Sequence, residues 1–426
     1  MDKRCDTEFN GKWRFQKHSP LMPKPYWEEL MGTLSYYKDK PSVLKLYHAP
    51  AMGLISSMPC NYDVVWGSDA NGYELTLFNL RMIEQPDMST TIFSVEYCLV
   101  GRHIDTIDTP IFDRCIVRFP YLRNWAFKCV RCIQNTDEGI TTILSKEIKS
   151  SILEWTIEDK IKLQLHRDYN YHYTRYETTI KEDTFLYICG DEPISIRKFL
   201  QLTHIFKQFL SIALYGEQHP CSIEFRVSTE VDRKSTKLLY RLKESRQPFI
   251  IPLIKFELLE SKLSDMLRKW HSDYEQMVPI CDYLIQSIHR DSFDTPNFLI
   301  IAQALDGYHK RFVNKRNGKD VRKYEQQMNA LLKLFNNVGV LQKCKIDTEV
   351  LAHSRHKYSH LMPDEDTKNT KKAVSGSALF RLTLKAMALL TCCILDNLKL
   401  TTDEINKCLE DSELSRIIDT ISFYED

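Results

Sequence analysis

The sequence predicts an α+β protein in which an antiparallel, sandwich-like β domain precedes an all-helical bundle. Before residue 257, short runs rich in Val, Ile, Tyr, Phe and Thr alternate with turn signals, a pattern typical of antiparallel strands. From Glu257 onwards the apolar residues recur with a period of about 3.6, as in helices that pack against a core on one side. We therefore expect a β-rich domain over residues 1–256 and a helical domain over residues 257–426.

Many short strands are predicted for the β-rich domain, as in a sandwich or a jelly roll. They cover Gly32–Tyr36, Ser42–Tyr47, Tyr62–Trp66, Tyr73–Phe78, Thr91–Val100, Cys115–Phe119, Ile161–His166, Tyr171–Thr179, Thr184–Cys189, Cys221–Val227 and Phe249–Phe256. The pair Asn71-Gly72 predicts a two-residue hairpin turn, because both residues tolerate a positive φ angle. One helix is expected at Ser195–Tyr215, where apolar residues recur at helical spacing.

The helical domain is predicted to contain an antiparallel bundle of five helices with short connections. The first opens at Thr295 and carries FLIIAQALDGYHKRF, and the second has an apolar stripe from Val321 to Val338. The third contains LAHSRHKYSHLMP, and the fifth opens at Thr402. The fourth includes the most apolar stretch, residues 378–398, whose charged residues indicate a buried core helix and not a membrane span.

Charge and cysteine content restrict the class of protein. The formal net charge is +1, so any binding of nucleic acid would depend on local basic patches and not on the field of the whole molecule. The 13 cysteines are odd in number and scattered, and the first residues, MDKRCDTEF, contain no apolar signal segment. We therefore expect free thiols and a cytoplasmic location.

The segment LAHSRHKYSHLMP, Leu351–Pro363, holds the densest group of potentially catalytic side chains. Asp347 is a suitable N-cap and Pro363 cannot continue a helix, so the segment is predicted to be helical. Projected at about 100° per residue, the side expected to be buried carries Val350, Leu351, Ser354, Tyr358 and Leu361. The polar side carries His353, Arg355, His356, Ser359 and His360.

Arg355 and His360 supply the two functions that metal-free cleavage of RNA requires. A neutral imidazole accepts a proton near neutral pH, and a guanidinium binds phosphate oxygens without losing its charge. An R-x4-H pattern alone is too short to be specific, and a solvated helix face is its more common explanation. His353, His356 and His360 are also spaced for zinc, although no acidic residue lies among them.

A basic segment at the end of the first bundle helix is the candidate RNA-facing surface. It includes Lys310, Arg311, Lys315 and Arg316, with Asp320 as the single acidic residue up to Lys323. RNA affinity depends largely on phosphate contacts, which favours this assignment. Cations at the end of a helix also interact favourably with its dipole, so part of the cluster has a structural explanation.

The order of several segments along the chain is more informative than any single motif. The segments GKW at Gly11, GTLSY at Gly32, SVLKLYHA at Ser42, VVWGSDANGYELTLFN at Val64 and RNWAF at Arg123 precede a helical domain with FLIIAQALDGYHKRF and R-x4-H. Together they resemble the ApeA-type abortive-infection proteins of bacteria, which end in a HEPN ribonuclease domain. The resemblance covers most of the chain.

This resemblance implies that Arg355 and His360 are catalytic and that two bundles form a homodimer, which brings both pairs into one cleft. His356 takes the position after the arginine, where the family often has a small polar residue, and is a candidate helper. Asp306 and His309 match an acidic residue and a histidine of the family; they either orient the catalytic groups or satisfy each other inside the bundle. The resemblance also implies a site without metal or cofactor.

The expected function is that of a metal-independent HEPN endoribonuclease in an anti-phage abortive-infection system. It would cleave RNA by attack of the 2′-hydroxyl, leave a 2′,3′-cyclic phosphate, and be activated by a phage protein that the N-terminal domain senses. The alternative is a non-catalytic RNA- or protein-binding sensor with a helical dimerisation domain. The presence of both Arg355 and His360 favours the enzyme.

Overall fold

The chain divides into two compact units. The first consists of Met1–Arg123, Cys129–His204 and His219–Ser245, and the second of Asn124–Lys128, Ile205–Gln218 and Arg246–Asp426. The computed structural model describes residues 5–17, 26–47, 61–87, 89–126, 132–137, 140–145, 151–158, 160–175, 178–229, 235–247, 251–288, 295–318, 320–363, 368 and 370–423.

Strands make up most of the first unit. They are β1 Thr7–Lys17, β2 Tyr26–Tyr36, β3 Ser42–Tyr47, β4 Asn61–Asp69, β5 Glu74–Asp87, β6 Thr90–Val100, β7 Phe112–Arg118, β8 Cys132–Asp137, β9 Ile140–Ser145, β10 Ser151–Glu158, β11 Ile161–Tyr173, β12 Thr178–Ile194, β13 Ser222–Arg226 and β14 Thr236–Tyr240. Each pairing between them is antiparallel, as the alternating pattern predicts.

Six of these strands close into a barrel. Their order is β6-β3-β2-β1-β4-β5, and β5 pairs back with β6. The antiparallel β domain is therefore confirmed, although its strands form a barrel with additional strands and do not stack as a two-sheet sandwich. The sequence does not separate the two architectures, because both bury one face of each strand and give the same two-residue alternation.

Large side chains fill the barrel, and Trp13 is fully buried among them. Gly67 on β4 makes room for this ring, since a Cβ atom at that position would lie 2.3 Å from it. Phe15 packs edge-to-face on Tyr62, with the ring centroids 5.0 Å apart. The aromatic residues of β1 thus determine how closely β4 approaches.

From β6 the sheet continues outside the barrel through β14, β13, β7, β12, β11 and β10, while β8 and β9 form a separate hairpin. Arg118 on β7 connects the neighbouring strands: it donates to Asp183 on β12 at 2.8 Å and to Glu224 on β13 at 3.1 Å. One guanidinium with five donors therefore compensates two carboxylates across three strands.

The hairpin predicted at Asn71-Gly72 forms between β4 and β5, but the predicted two-residue turn is wrong. The loop has four residues, 70–73, and within it Gly72 takes a positive φ angle of 81°. The carboxylate of Asp69 accepts the N–H of Asn71 at 2.9 Å, an Asx-type contact that stabilises the longer loop.

Two predicted strands are also misplaced. The run Tyr171–Thr179 covers the end of β11 and the start of β12, so it marks a reversal of the chain and not one strand. Of the strand predicted at Phe249–Phe256, residues 249–250 lie outside the described part and residues 251–255 are irregular. A helix begins at Phe256, because the apolar residues from there on follow the helical period.

Helices form most of the second unit. They are α1 Leu122–Trp125, α2 Ile196–Ala213, α3 Phe256–Ile288, α4 Thr295–Tyr308, a π-helical turn His309–Asn314, α5 Lys315–Asn317, α6 Tyr324–Leu334, α7 Gly339–Cys344, α8 Thr348–Ser359, α9 Gly376–Asn397, α10 Thr402–Leu409 and α11 Glu413–Phe423. Two of these helices are divided between the units: α1 belongs to the first unit up to Arg123, and α2, which matches the helix predicted at Ser195–Tyr215, belongs to it up to His204.

The helical domain is confirmed, but two of the predicted helices are broken. The second ends at Leu334 and α7 is separate, although Phe335 and Val338 between them are buried. The fifth consists of α10 and α11. A turn can bury apolar side chains as a helix does, so the hydrophobic period alone does not reveal these breaks.

Helix α9 is the core helix of the second unit. Within the described residues it is long and apolar enough to cross a membrane by length and composition, yet 78% of its most apolar window is buried inside the protein. Its neighbours include α3, α4, α6, α7, α10 and α11. Burial among other helices accounts for its composition.

We expect Gly67→Ala to destabilise the barrel. The added methyl group would overlap the ring of Trp13, and overpacking of a core typically costs about 1–3 kcal/mol. Hydrogen exchange of the β1 and β4 amides measures the effect within this unit. Ser68→Ala, at the next and exposed position of β4, is the control. Equal protection in both variants would contradict this account of Gly67.

Candidate active site

Helix α8 carries the catalytic candidates and begins as predicted. Asp347 Oδ1 accepts the N–H groups of Glu349 at 2.8 Å and of Val350 at 3.1 Å, so Asp347 is the N-cap. Leu351 and Ser354 lie on the buried side of the helix and are fully buried.

The segment Lys372–Val374 fixes the rotation of α8 about its axis. The N–H of Val374 donates to the buried Oγ of Ser354 at 3.1 Å, and the hydroxyl of Tyr358 donates to the Val374 carbonyl at 2.9 Å. The N–H of Lys372 donates to Nδ1 of His353 at 3.2 Å. The segment occupies this side of α8, and Arg355 contacts residues of α4 and α6 instead.

His353 is thereby separated from the other two histidines of the motif. Its Nδ1 accepts an amide proton, and its Nε2 lies 3.9 Å from the carboxylate of Glu349. The part of the chain that the structure describes contains no group of three His, Cys, Asp or Glu side chains arranged to hold a metal ion. The zinc alternative therefore lacks a third ligand at this position.

The end of α8 differs from the prediction. The helix ends at Ser359, His360 is the C-cap with φ −108° and ψ 6°, and Leu361 has a left-handed φ of 49°. The N–H of Met362 donates to the carbonyl of Lys357 at 2.9 Å, which completes a Schellman motif. Leu361 is consequently 89% exposed, and its predicted burial was wrong because the helical projection does not hold past the last helical residue.

Arg355 lies between α4 and α6. Its Nη2 is 3.7 Å from Oδ2 of Asp306, and its guanidinium carbon lies 5.0 Å from the centroid of the Tyr324 ring. The Tyr324 hydroxyl donates to the Ala302 carbonyl at 3.2 Å, and burial raises the pKa of Tyr324 well above its ordinary value. The ring is thus a fixed, neutral surface under a guanidinium whose side chain remains 34% exposed.

His356 and His360 form a pair at the end of the helix. Their ring centroids are 4.7 Å apart, and His360 is exposed. Burial, together with the positive charges of His360, Arg355 and His353, lowers the pKa of His356 below its ordinary value. Near neutral pH His356 is therefore mainly neutral and able to accept a proton.

Asp306 and His309 do not satisfy each other by hydrogen bonding, which was one of the two alternatives. Asp306 faces Arg355 and also accepts from Lys310 Nζ at 2.9 Å. His309 begins the π-helical turn, is only 1% exposed, and neither ring nitrogen has a hydrogen-bond partner among the described residues. Burial lowers the pKa of His309, against the opposing charge of Asp306.

The four predicted RNA-binding residues fall into two groups. Lys310 pairs with Asp306, on the side of α4 that faces Arg355. Arg311, Lys315 and Arg316 line a separate cavity of about 340 Å³. The hydroxyl of Tyr308 on α4 donates to Asp396, which lines that cavity. Tyr308 and Asp306 are two positions apart, which is about 200° around the helix, so the cavity and Arg355 lie on nearly opposite sides of α4.

Tyr324 and the segment Lys372–Val374 are parts of the site that the sequence did not reveal. Tyr324 belongs to a helical apolar stripe, and such a residue is usually a core residue. The segment precedes the most apolar helix and carries no distinguishing motif. Both contribute through contacts with residues distant in sequence, for which the spacing within one helix gives no signal.

Two family models match the chain. ApeA N-terminal domain 1 matches residues 8–270, and Apea-like HEPN matches residues 299–404. The second match includes Asp306, His309, Arg355, His356 and His360. No curated protein and no solved structure matches the chain.

We expect acidification to destabilise the helical unit through His309. Burial lowers its folded pKa below the unfolded value of about 6.5, so below that pH the unfolded chain binds more protons and the free energy of unfolding falls by up to about 1.4 kcal/mol per pH unit. Urea unfolding followed by helical circular dichroism at several pH values measures this slope. His309→Leu cannot take up the proton and should flatten it; an unchanged slope would contradict the assignment.

Proposed function

The chain belongs to the ApeA-like HEPN family, and from this premise we propose that it is a metal-independent endoribonuclease of an anti-phage abortive-infection system. Membership of this family supports a HEPN-type defence nuclease in general. The observation that carries the specific proposal is the arrangement at the end of α8. A guanidinium held by Asp306 and Tyr324 remains partly exposed, and directly after it comes the first of two adjacent imidazoles.

In the proposed reaction His360 removes the proton from a ribose 2′-hydroxyl, and the oxygen attacks the adjacent phosphorus in line. Arg355 stabilises the negative charge on the non-bridging phosphoryl oxygens. The bond from O2′ to phosphorus forms while the bond to O5′ breaks, giving a 2′,3′-cyclic phosphate and a 5′-hydroxyl. DNA lacks the nucleophile and is not a substrate.

A second group must protonate the leaving O5′. The pKa of His356 is lowered by burial and nearby cations, so its protonated form, which is the one that can donate, is scarce near neutral pH. We assign the acid to His360 of the partner subunit and leave His356 the role of a neutral hydrogen-bonding helper. This assignment requires the cleft to be completed by a second copy of the chain.

The geometry at Leu361 supports such a homodimer. This side chain is 89% exposed, directly follows His360, and is held outward by the left-handed backbone at the helix end. Burying a leucine contributes about 1.5–3 kcal/mol, so a fixed and exposed one beside a catalytic group is suited to be an interface anchor.

Control of the enzyme is assigned to the β-rich unit. A nuclease that attacks the RNA of its own cell has to be inactive before infection, and we propose that this unit releases the activity when it binds a phage protein in the cytoplasm. Co-expression with single phage proteins, scored by growth arrest, identifies the trigger, and the His360→Ala chain shows whether the arrest depends on cleavage.

We expect purified protein, activated by its trigger where necessary, to cleave RNA in the presence of a chelator. His360→Ala should lower the rate by about two to four orders of magnitude, since it removes a general base. Arg355→Lys should also lower the rate, because an ammonium cannot form the forked contact to two phosphoryl oxygens. Gel analysis of total RNA and end-group analysis of the products provide the measurement.

Ser359→Ala, which changes an exposed side chain between the two histidines, is the matched control and should cleave normally. Loss of cleavage on chelation would support a metal enzyme. An activated wild type that leaves RNA intact would support the non-catalytic sensor.

We expect Leu361→Glu to weaken self-association and cleavage together, because it places a charge in the proposed interface. Leu334→Glu is the matched control, since Leu334 is an exposed leucine of α6, with 42% of its surface accessible. Sedimentation over a range of protein concentrations measures the dimer. If the Leu361→Glu variant dimerises as strongly as the Leu334→Glu variant, Leu361 is not part of the interface.

A further inference from the structure

A basic groove lies along α3, at the other side of α4 from Arg355. It consists of two cavities of about 340 and 610 Å³ that share Lys269 and Lys399. The smaller cavity is also lined by Arg311, Lys315 and Arg316, and the larger by Lys262 and Arg268. Four of these seven cations form ion pairs: Lys262 with Glu404, Arg268 with Asp265, Lys269 with Asp273 and Arg316 with Asp396.

The carboxylates of the smaller cavity are already occupied by donors of the protein. Asp273 accepts from Lys269 and from Asn397, the latter at 3.1 Å. Asp396 accepts from the Tyr308 hydroxyl at 3.0 Å and from Arg316 at 3.1 Å. Asp273 and Asp396 therefore pair with Lys269 and Arg316 in the groove wall. They leave the charges of Arg311, Lys315 and Lys399 uncompensated.

Two cations of the groove have their ammonium groups available. Lys315 and Lys399 are exposed, and neither forms an ion pair within the part of the chain that the structure describes. Lys399 follows α9 with a left-handed φ of 62°, and its N–H donates to the Asp396 carbonyl at 2.8 Å. The helix end thus fixes the backbone of Lys399 beside Asp396 at the groove wall.

The length of the groove indicates a polymer of phosphates and not a single anion. Its lining residues on α3 extend from Lys262 to Gln276, which is about 21 Å along a helix. Among the lining residues Phe312 is the one aromatic side chain, so successive bases have no stacking platform. Such a surface contacts the backbone and is insensitive to sequence.

We propose that this groove binds the phosphate backbone of the RNA strand whose cleavage is assigned to Arg355 and His360. The inference rests on the proposed function for the identity of its ligand. It adds an RNA-contacting surface, built from α3, the π-helical turn, α5 and the end of α9, to the proposed active site at Arg355 and His360. The strand then contacts the bundle on both sides of α4.

Binding of a fluorescent single-stranded RNA to the His360→Ala chain, measured by anisotropy over a range of salt concentrations, tests the groove without cleavage. Each phosphate contact contributes about 0.7 to the slope of log affinity against log salt. Lys315→Ala combined with Lys399→Ala should therefore lower the slope by about 1.4 and weaken binding at low salt. The control combines Lys333→Ala with Lys343→Ala, two exposed lysines that line neither cavity.

If the slope of the Lys315→Ala, Lys399→Ala variant is unchanged, or if the control variant loses as much of its slope, the proposal that the groove binds RNA is wrong. The absence of RNA binding by the His360→Ala chain overturns it as well. A lowered slope in a protein whose wild type does not cleave RNA overturns the ribonuclease and leaves the groove as an RNA-binding surface. Cleavage that depends on His360 with an unchanged slope overturns the groove alone.

Discussion

The hydrogen bond from the Val374 amide to the buried Ser354 hydroxyl is the constraint on which the site depends. The Ser354 hydroxyl is fully buried and Val374 is partly buried, and a buried polar group without a partner is destabilising, so the bond favours one rotation of α8 about its axis. That rotation brings Arg355 over Tyr324 and within 3.7 Å of Asp306. The end of α8 that carries the proposed catalytic residues is thus positioned by Ser354 and Val374, to which no catalytic role is assigned.

The parts of the fold that follow from local pattern were predicted from the sequence, and those that depend on distant contacts were not. Asp347 was identified as a cap because capping involves neighbouring residues, and the polar side of α8 followed from the helical period. Closure of the barrel depends on the pairing of β5 with β6, which the alternation of each strand does not encode. The exposure of Leu361 depends on where the helix ends. The residue with a left-handed φ that ends a helix is usually glycine, so a leucine at this position does not indicate the helix end in the sequence.

The two units use their charges in different ways. In the β-rich unit the guanidinium of Arg118 is satisfied by Asp183 and Glu224, a compensated arrangement that stabilises the sheet. In the helical unit the carboxylates hold some cations in place and leave Lys315 and Lys399 uncompensated. The net charge of +1 therefore does not reveal the local excess of positive charge at Lys315 and Lys399. A polyanion that binds there responds to this local excess and not to the net charge.

The π-helical turn His309–Asn314 affects how the basic groove can differ between related proteins. A π turn has one more residue in its hydrogen-bonded ring than an α-helical turn, so it corresponds to an insertion of a single residue into the helix. Removing one residue there would restore an α-helix and rotate α5, which directly continues the same helix, by about 100°. Lys315 and Arg316 would then leave the wall that they share with Lys269, while Arg355 and Asp306 would keep their places. Single-residue insertions and deletions are thus a route by which related proteins could retain the proposed active site and alter the proposed path of the RNA.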